Sequence, residues 1–245
     1  MPEIIHIDKT NSTNTYLRDL INSDNIVEEG TVVWADFQTA GRGQRGNSWE
    51  SEDKENILFS IVLCPDTIDA SEQFIISQLV SLGIVEYLNS LCKGFCIKWP
   101  NDIYYQDKKI AGMLIENDMS GRTISSSIIG IGLNVNQSVF VSNAPNPISL
   151  YNILNRKFER EKILTNILNT ILKYYSEALN GNFINIRKKY MDNLFRKEGF
   201  HKYMADNIVF EAKVEEIKPM GFLCLKTTDG EMREFAFKEV EYILK

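Results

Sequence analysis

The sequence predicts an α+β fold in which a large domain of strands and helices, residues 1–196, is followed by a small β domain, residues 197–245. Over the first region, apolar spacings typical of strands alternate with spacings typical of helices. Beyond a polar break at residues 196–199, only short strand-like runs follow, and Asp229-Gly230 between two of them is a strong hairpin signal. A length of 245 residues suits one large domain with a small one attached.

Strands are predicted where apolar runs are bounded by turn signals, and helices where apolar residues recur every three or four positions. Five small polar residues at 10–14 precede the first helix, and one of them is expected to be its N-cap. The same hydroxyls and amides would also suit a ligand with a polar, uncharged head group. The predicted strands are 4–7, 31–37, 57–64, 94–99, 110–116, 123–135, 208–217, 221–227, 231–237 and 240–244, and the predicted helices are 16–21, 74–91, 161–179 and 183–195.

The composition narrows the class of protein. Hydrophobic residues make up 44% of the chain and charged residues 24%, as in ordinary globular proteins. A net charge of −6 argues against a molecule whose overall field is built for nucleic acid. The four cysteines form no Cys-x-x-Cys pair and have no histidine nearby, so we expect reduced thiols and no metal site. Without a targeting segment or a run of about 20 apolar residues, we expect a cytoplasmic protein with no membrane partner.

A glycine-rich loop at residues 38–49, Gln-Thr-Ala-Gly-Arg-Gly-Gln-Arg-Gly-Asn-Ser-Trp, carries the clearest chemical signal. Glycines let the backbone approach a ligand, and arginines add donors suited to phosphate or carboxylate. The alternative is a solvated hairpin loop, and the loop alone does not decide between the two. It also contains Gly-x-Gly-x-x-Gly, but residues 47–56 hold one apolar residue in ten. Because no packed helix can begin there, a dinucleotide-binding fingerprint is rejected.

Three further segments could contribute polar groups to a site. Lys-Trp-Pro-Asn-Asp at residues 98–102 follows a strand, where functional groups are common, although a polar turn is the alternative. Lys109 is predicted in a four-residue turn at 106–109, where a solvated lysine is the simpler interpretation. Gly130 and Gly132 on one face of a strand would leave a groove, with Asn134 further along the same face.

These segments occur in an order that resembles the biotin–protein ligases. Each motif is weak alone, but five in order with similar spacing are specific. The resemblance implies a class II synthetase-like domain, with a mixed sheet and helices on one side, followed by an SH3-like barrel. It also implies ATP, Mg²⁺ and biotin as ligands, and a biotin carboxyl carrier domain as partner. Biotin would attack the α-phosphate of MgATP to give biotinyl-5′-AMP and pyrophosphate, and a lysine of the carrier would then take the biotinyl group.

The resemblance also implies roles for individual residues of this chain. Catalysis would depend on Lys109 and Arg42, because neither step needs an enzyme nucleophile and charge neutralisation must carry the chemistry. The biotin site would contain Ser12, Thr13, Asn14, Gln38, Gly41, Arg42, Gly43, Gln44, Lys109 and Gly112, with the Gly130–Gly132 segment as floor, and the nucleotide site would contain Arg45, Trp49, Asn101 and Asn134.

Two departures from the family pattern carry expectations. The family often has arginine where this chain has Gln44 and Asn47, so we expect a weaker hold on the adenylate. The first motif starts at residue 12, so we expect no helix-turn-helix before it and no nucleic-acid partner. The sequence leaves open whether the protein forms a homodimer. The rival functions are a lipoate or octanoate ligase of the same fold and a relative that binds a ligand without catalysis.

Overall fold

The computed structural model describes residues 3–23, 26–142 and 146–244, with the side chain of Arg45 outside the described part. Two short 3-10 helices, Gln44–Gly46 and Ala70–Glu72, interrupt loops. The strands and α-helices are, in chain order, β1 (Ile4–Thr10), α1 (Thr13–Asn22), β2 (Val32–Gln38), β3 (Ile57–Leu63), α2 (Phe74–Leu91), β4 (Phe95–Lys98), β5 (Asp102–Tyr105), β6 (Lys108–Ser120), β7 (Thr123–Leu133), α3 (Leu150–Leu154), α4 (Arg160–Leu179), α5 (Phe183–Asp192), β8 (His201–Ala205), β9 (Ile208–Ile217), β10 (Leu223–Thr227), β11 (Met232–Phe235) and β12 (Glu241–Tyr242).

Seven strands form the main sheet in the order β1-β2-β3-β7-β6-β5-β4. Only β1 and β2 run parallel, and every other neighbouring pair is antiparallel, so the predicted mixed sheet is confirmed. The central strand β3 is buried along its whole length, which its continuous apolar run predicts.

The long helices lie on one face of this sheet, as the predicted fold class expects, and α1 lies on the other face. Leu17 of α1 packs with Val33, Val62 and Ile128 on one face. The opposite face contributes to a larger core with α2, α4 and α5. Helix α2 is long and apolar enough to cross a membrane by length and composition alone. Core helices pass the same test, and 67% of α2 is buried inside the structure, as expected for a helix at the centre of the fold.

The C-terminal region forms a second, antiparallel sheet in the order β11-β10-β9-β8-β12. Its apolar residues belong to the same hydrophobic core as the main sheet. The indole Nε1 of Trp99, just after β4, donates to the carbonyl of Gly221 at 2.9 Å. The backbone of Phe195 donates to the carbonyl of Ile97 at 2.8 Å. The second sheet therefore lies beside β4. The predicted domain boundary after residue 196 stays a prediction.

Two sequence-based expectations about elements were wrong, and three elements were missed. The turn predicted over 106–109 spans only residues 106–107, and Lys109 lies in β6 instead. A register shift between β5 and β6 explains the error, because a bulge shortens the turn that the sequence suggests. The helix predicted to reach residue 195 ends at Asp192. Strands β5 and β8 and helix α3 were not among the predicted elements.

Candidate active site

A cavity of about 670 Å³ opens between the main sheet, the glycine-rich loop and the C-terminal sheet. Gly41 and Asn134 do not line it, and the side chain of Arg45 lies outside the described residues. The predicted site residues that do line it are Ser12, Thr13, Asn14, Gln38, Arg42, Gly43, Gln44, Trp49, Asn101, Lys109, Gly112, Gly130 and Gly132.

One end of the cavity is polar but uncharged, and hydrogen bonds fix its groups. The backbone N–H of Thr13, at the start of α1, donates to Gln38 Oε1 at 2.7 Å. The Ser60 hydroxyl donates to Asn14 Oδ1 at 2.6 Å and lies 2.7 Å from Thr13 Oγ1. Ser12 takes the N-cap position, yet its side chain makes no capping hydrogen bond. Its hydroxyl is therefore available to a ligand, as the alternative to capping expected.

Asn14 is held from its other side by Glu116, which the sequence did not single out. Asn14 Nδ2 donates to Glu116 Oε2 at 2.9 Å, so its Oδ1 turns toward β7. A Cβ added to Gly130 would lie 2.2 Å from that oxygen. Only glycine leaves room for this arrangement, because atoms cannot approach so closely. The polar end of the cavity thus depends on the Asn14 amide and on the absence of a side chain at Gly130 beneath it.

Hydrogen bonds close the glycine-rich loop on itself. Trp49 N donates to the Gly41 carbonyl at 2.9 Å, and Gly43 N donates to the Asn47 carbonyl at 2.6 Å. The loop therefore forms a short hairpin that ends in a 3-10 turn, and no α-helix follows it before Phe74. This confirms that its Gly-x-Gly-x-x-Gly pattern is not a dinucleotide fingerprint.

The Trp49 indole lies against the glycine floor of the cavity. A Cβ on Gly132 would lie 2.4 Å from Trp49 Cε2, and a Cβ on Gly112 would lie 3.0 Å from Trp49 Cζ3. The indole Nε1 is buried without a hydrogen-bond partner among the described residues. Because Gly112 of β6 and Gly132 of β7 have no side chains, the sheet has a flat surface there, and the Trp49 ring packs on it.

Lys109 is fixed by its backbone on the side away from β5. Its N–H donates to the Asn146 carbonyl at 2.8 Å, and its carbonyl accepts from Ile148 N at 2.9 Å. Its ammonium Nζ lies 2.6 Å from Asp102 Oδ1 and 5.6 Å from the centre of the Trp49 ring. With 28% of the Lys109 side chain and 16% of the Asp102 side chain exposed, the pair lies inside the cavity but within reach of a ligand.

Arg42 approaches the same region from the loop. Its Nη2 lies 3.5 Å from Glu116 Oε1 and 3.4 Å from Thr15 Oγ1. These contacts are long and the side chain is 49% exposed, so the pair contributes little to stability. Arg42 can therefore exchange Glu116 for a ligand at small cost.

Two residues predicted to contact the nucleotide also have structural partners. Asn101 Nδ2 donates to the Met113 carbonyl at 2.5 Å, and Met113 N donates back to the Asn101 carbonyl at 3.0 Å. Asn134 Nδ2 donates to the Ile148 carbonyl at 3.1 Å, which fixes the segment that holds Lys109. The Asn134 Oδ1 is buried and has no partner among the described residues.

A row of paired residues crosses the sheet under the cavity. Lys98 of β4 pairs with Asp102 of β5, Asp102 with Gly112 of β6, and Gly112 with Gly132 of β7. Residues directly opposite in neighbouring strands point to the same face. From the C-terminal sheet toward the polar end of the cavity, the row therefore carries the Lys98 cation, the Asp102 carboxylate and then two glycines without side chains.

Sequence reasoning assigned no individual role to four residues of this site, and two of them had a signal. Ser60 is the single polar residue in the apolar strand β3, and Lys98 begins the recognised 98–102 motif. Glu116 and Tyr242 gave no signal, because each reaches the site from a distant part of the chain.

A model of the biotin/lipoate A/B protein ligase family matches residues 7–134, which is more than half of the 245 residues. The chain belongs to this family. Over 233 residues it is 30% identical to the bifunctional ligase/repressor BirA of Bacillus subtilis, covering 93% of this chain and 70% of that protein. The BirA of Escherichia coli is 34% identical over 129 residues, 52% of this chain and 38% of that protein.

Members of the family with solved structures share the whole fold. The biotin protein ligase from Aquifex aeolicus in complex with biotin and ATP has a TM-score of 0.81 and 25% identity, covering 99% of this chain and 100% of that one. The enzyme from Leishmania major in complex with biotinyl-5-AMP has a TM-score of 0.67 over 96% and 99% of the two chains, and at 20% identity shows the fold alone. The predicted fold class, including the small SH3-like domain, is confirmed.

Proposed function

We propose that the protein is a biotin–protein ligase, which activates biotin with ATP and transfers it to a lysine of a biotin carboxyl carrier domain. One observation carries the proposal. The cavity has a buried, uncharged polar end at Thr13 and Asn14 and a cation, Lys109, at its other side, with the Gly130–Gly132 floor between them. Biotin has this polarity, with a neutral ureido group and a carboxylate joined by an apolar body.

In the first step, the hydroxyls and amides around Asn14 would bind the ureido group. Asn14 Oδ1 would accept an N–H of the ligand, and the open Ser12 hydroxyl would donate to its carbonyl. The carboxylate would then lie beside Lys109, which would leave Asp102 for the carboxylate and the attacked phosphate. The main task of the enzyme in this step is to hold the biotin carboxylate and the phosphate together, because the two negative groups repel each other unless a cation lies between them.

Mg²⁺ would enter as part of MgATP. It commonly binds one or two protein carboxylates together with substrate phosphates. Asp102 lines the cavity and fits that requirement, because its carboxylate becomes available when Lys109 turns to the ligand. No group of three or more metal-ligating side chains occurs among residues 3–23, 26–142 and 146–244. The ion supplies further neutralisation of phosphate charge when it is bound.

In the second step, the neutral amine of the acceptor lysine would attack the acyl carbon and lose a proton to solvent, while the bond from this carbon to the phosphate oxygen breaks and AMP leaves with its electron pair. The enzyme needs no nucleophile of its own for this. Its contribution is to hold the adenylate with Lys109 and Arg42 at the open mouth of the cavity, where a partner can reach it. The half-exposed Arg42 lies at that mouth.

The test is to incubate the purified protein with MgATP, biotin and a biotin carboxyl carrier domain. We expect the acceptor to gain the mass of one biotinyl group and pyrophosphate to be released. A carrier whose target lysine is replaced by arginine is the matched control and should gain nothing. Pyrophosphate release with lipoate or octanoate, and none with biotin, would overturn the proposal in favour of the rival acids. Binding of biotin without release would favour a non-catalytic relative.

A further inference from the structure

Lys98 places a cation at the end of the cavity that faces the C-terminal sheet. Its Nζ lies 5.2 Å from the ring centre of Tyr104 and 4.8 Å from that of Tyr242. The nearest carboxylate in the row, Asp102, is paired with Lys109 at 2.6 Å. Among the described residues, Lys98 itself forms no ion pair. The two aromatic rings stabilise its charge, and Lys98 lines the cavity.

The environment of Lys98 favours an incoming anion. Burial lowers the pKa of this lysine; the negative charge of Asp102 opposes the shift, and the positive charges of Lys109 and Arg196 add to it. A cation that has lost water and gained no full counter-charge binds a polyanion more strongly than an exposed lysine does. The position is therefore built to receive negative charge.

The row across the sheet sets where that charge would lie. Neighbouring strands are about 4.8 Å apart, so Lys98 lies about 10 Å from Gly112 and on the far side of Asp102 from it. The polar end around Asn14 lies in the opposite direction, beneath α1 and β7. An in-line attack on phosphorus drives the leaving group away from the nucleophile. A carboxylate held near Lys109 would therefore direct its leaving group toward Lys98.

We infer that Lys98 binds the pyrophosphate leaving group, the β- and γ-phosphates of the nucleoside triphosphate, and that the Tyr242 ring of the C-terminal sheet positions it. The inference rests on the proposed function. In that step a bond forms between a biotin carboxylate oxygen and the α-phosphorus. The bond from this phosphorus to the bridging oxygen breaks, and its electron pair leaves with pyrophosphate. Lys98 neutralises the charge that grows on the departing group.

The experiment replaces Lys98 by methionine, which keeps the apolar stem and removes the charge. We expect Lys98→Met to lower kcat/KM for ATP in adenylate formation by about 10- to 100-fold, the range for one charge-assisted hydrogen bond. Product inhibition by inorganic pyrophosphate should weaken by a similar factor. Transfer from preformed biotinyl-5′-AMP to the carrier should stay within about twofold, because pyrophosphate has already left.

Controls separate this role from a structural one. Lys93→Met removes the same charge from an exposed position just before β4 and should change none of the three measurements. Lys98→Arg keeps the charge and should recover part of the pyrophosphate inhibition. Tyr242→Leu, which removes the ring, should reproduce part of the Lys98→Met defect.

The possible outcomes distinguish a failure of this inference from a failure of the proposed function. An unchanged pyrophosphate inhibition constant in Lys98→Met, or an equal loss in both half-reactions, would overturn the inference. If the wild-type protein releases no pyrophosphate with biotin, the proposed function fails instead. In that case, calorimetric titration with magnesium pyrophosphate compares wild type with Lys98→Met directly, and equal affinities would also remove Lys98 from phosphate binding.

Discussion

Lys109 combines a fixed backbone with a side chain that can change partner. Backbone hydrogen bonds to the 146–148 segment hold its main chain, while its ammonium pairs with Asp102. The side chain therefore contributes charge at a defined point rather than packing.

Replacing Lys109 by alanine should lower adenylate formation by about 100- to 1,000-fold, since one charge that stabilises the transition state is lost. The fold should persist, because the strand is held by its backbone. Pyrophosphate release and thermal unfolding measure the two effects. Lys108→Ala, at the exposed neighbouring position, is the control. Activity of Lys109→Ala within threefold of wild type would remove this lysine from the mechanism.

Two glycines in β7 allow the two substrates to be perturbed separately. Gly130→Ala would push on Asn14, so we expect kcat/KM for biotin to fall about 10- to 100-fold with little change in KM for ATP. Gly132→Ala would push on Trp49 and should raise KM for ATP instead. Steady-state kinetics with each substrate varied in turn provides the comparison. Equal effects of both variants on both substrates would contradict this division of the cavity.

At the scale of elements, the glycine-rich loop covers the cavity with few cations. Gln44 and Asn47 line it without charge, and Arg42 has Glu116 as a partner. We expect Gln44→Arg to slow release of biotinyl-5′-AMP by about 10-fold when no acceptor is present, because it adds a charge-assisted contact to phosphate. Released adenylate is measured by chromatography over time. Gln44→Ala is the matched control, and a release rate for Gln44→Arg equal to that of wild type would show that this position does not contact the adenylate.

Most elements follow from local pattern, and the exceptions have local causes. Strand β3 is apolar at all but one position and helix α2 is apolar over a wide arc, so their type and extent were predictable. Strand β8 has only one buried residue, Tyr203, and its pattern is too weak to mark it. The bulge beside Lys109 depends on how β5 and β6 pair, which no short window of sequence contains.

The contacts of the site also divide into those that local sequence predicts and those that it does not. Groups within one motif, such as Thr13 with Asn14, were predictable because the chain itself places them together. The contact between Ser60 and Asn14 joins residues 46 positions apart, and the contact between Arg42 and Glu116 joins residues 74 apart. Such contacts are created by the order of strands in the sheet. The sequence pattern names the chemistry, and the topology supplies the partners.

At the scale of the whole molecule, a charged cluster joins the main sheet to the helices behind it. Asp36 of β2 accepts from Arg160 Nη2, at the start of α4, at 2.7 Å, and lies 3.3 Å from His6 Nε2. Burial raises the pKa of Asp36, but hydrogen bonds from Arg160 and His6 outweigh it and hold this pKa below its usual value.

A lowered pKa in the folded state stabilises the fold above the unfolded pKa, near 3.8, and that contribution is lost as the pH falls through the folded value. We expect Asp36→Asn to lower the free energy of unfolding at pH 7 by about 2 kcal/mol. The gap from wild type should shrink as the pH falls from 4 toward 3. Urea unfolding across this range measures it, and a gap independent of pH would show that the carboxylate charge is not the cause.

The packing of Trp49 on the glycine floor gives the protein an optical signal of its own. The chain has three tryptophans, and Trp34 and Trp99 are buried in the core with 8% and 3% of their surface exposed. Trp99 also lines the cavity, but Trp49 packs on the glycine floor, a surface that a ligand would share, beside the Lys109 ammonium. The emission of Trp49 should therefore change most on ligand binding. Titration followed by intrinsic fluorescence, with Trp49→Phe as the silent reference, would time each half-reaction without a label.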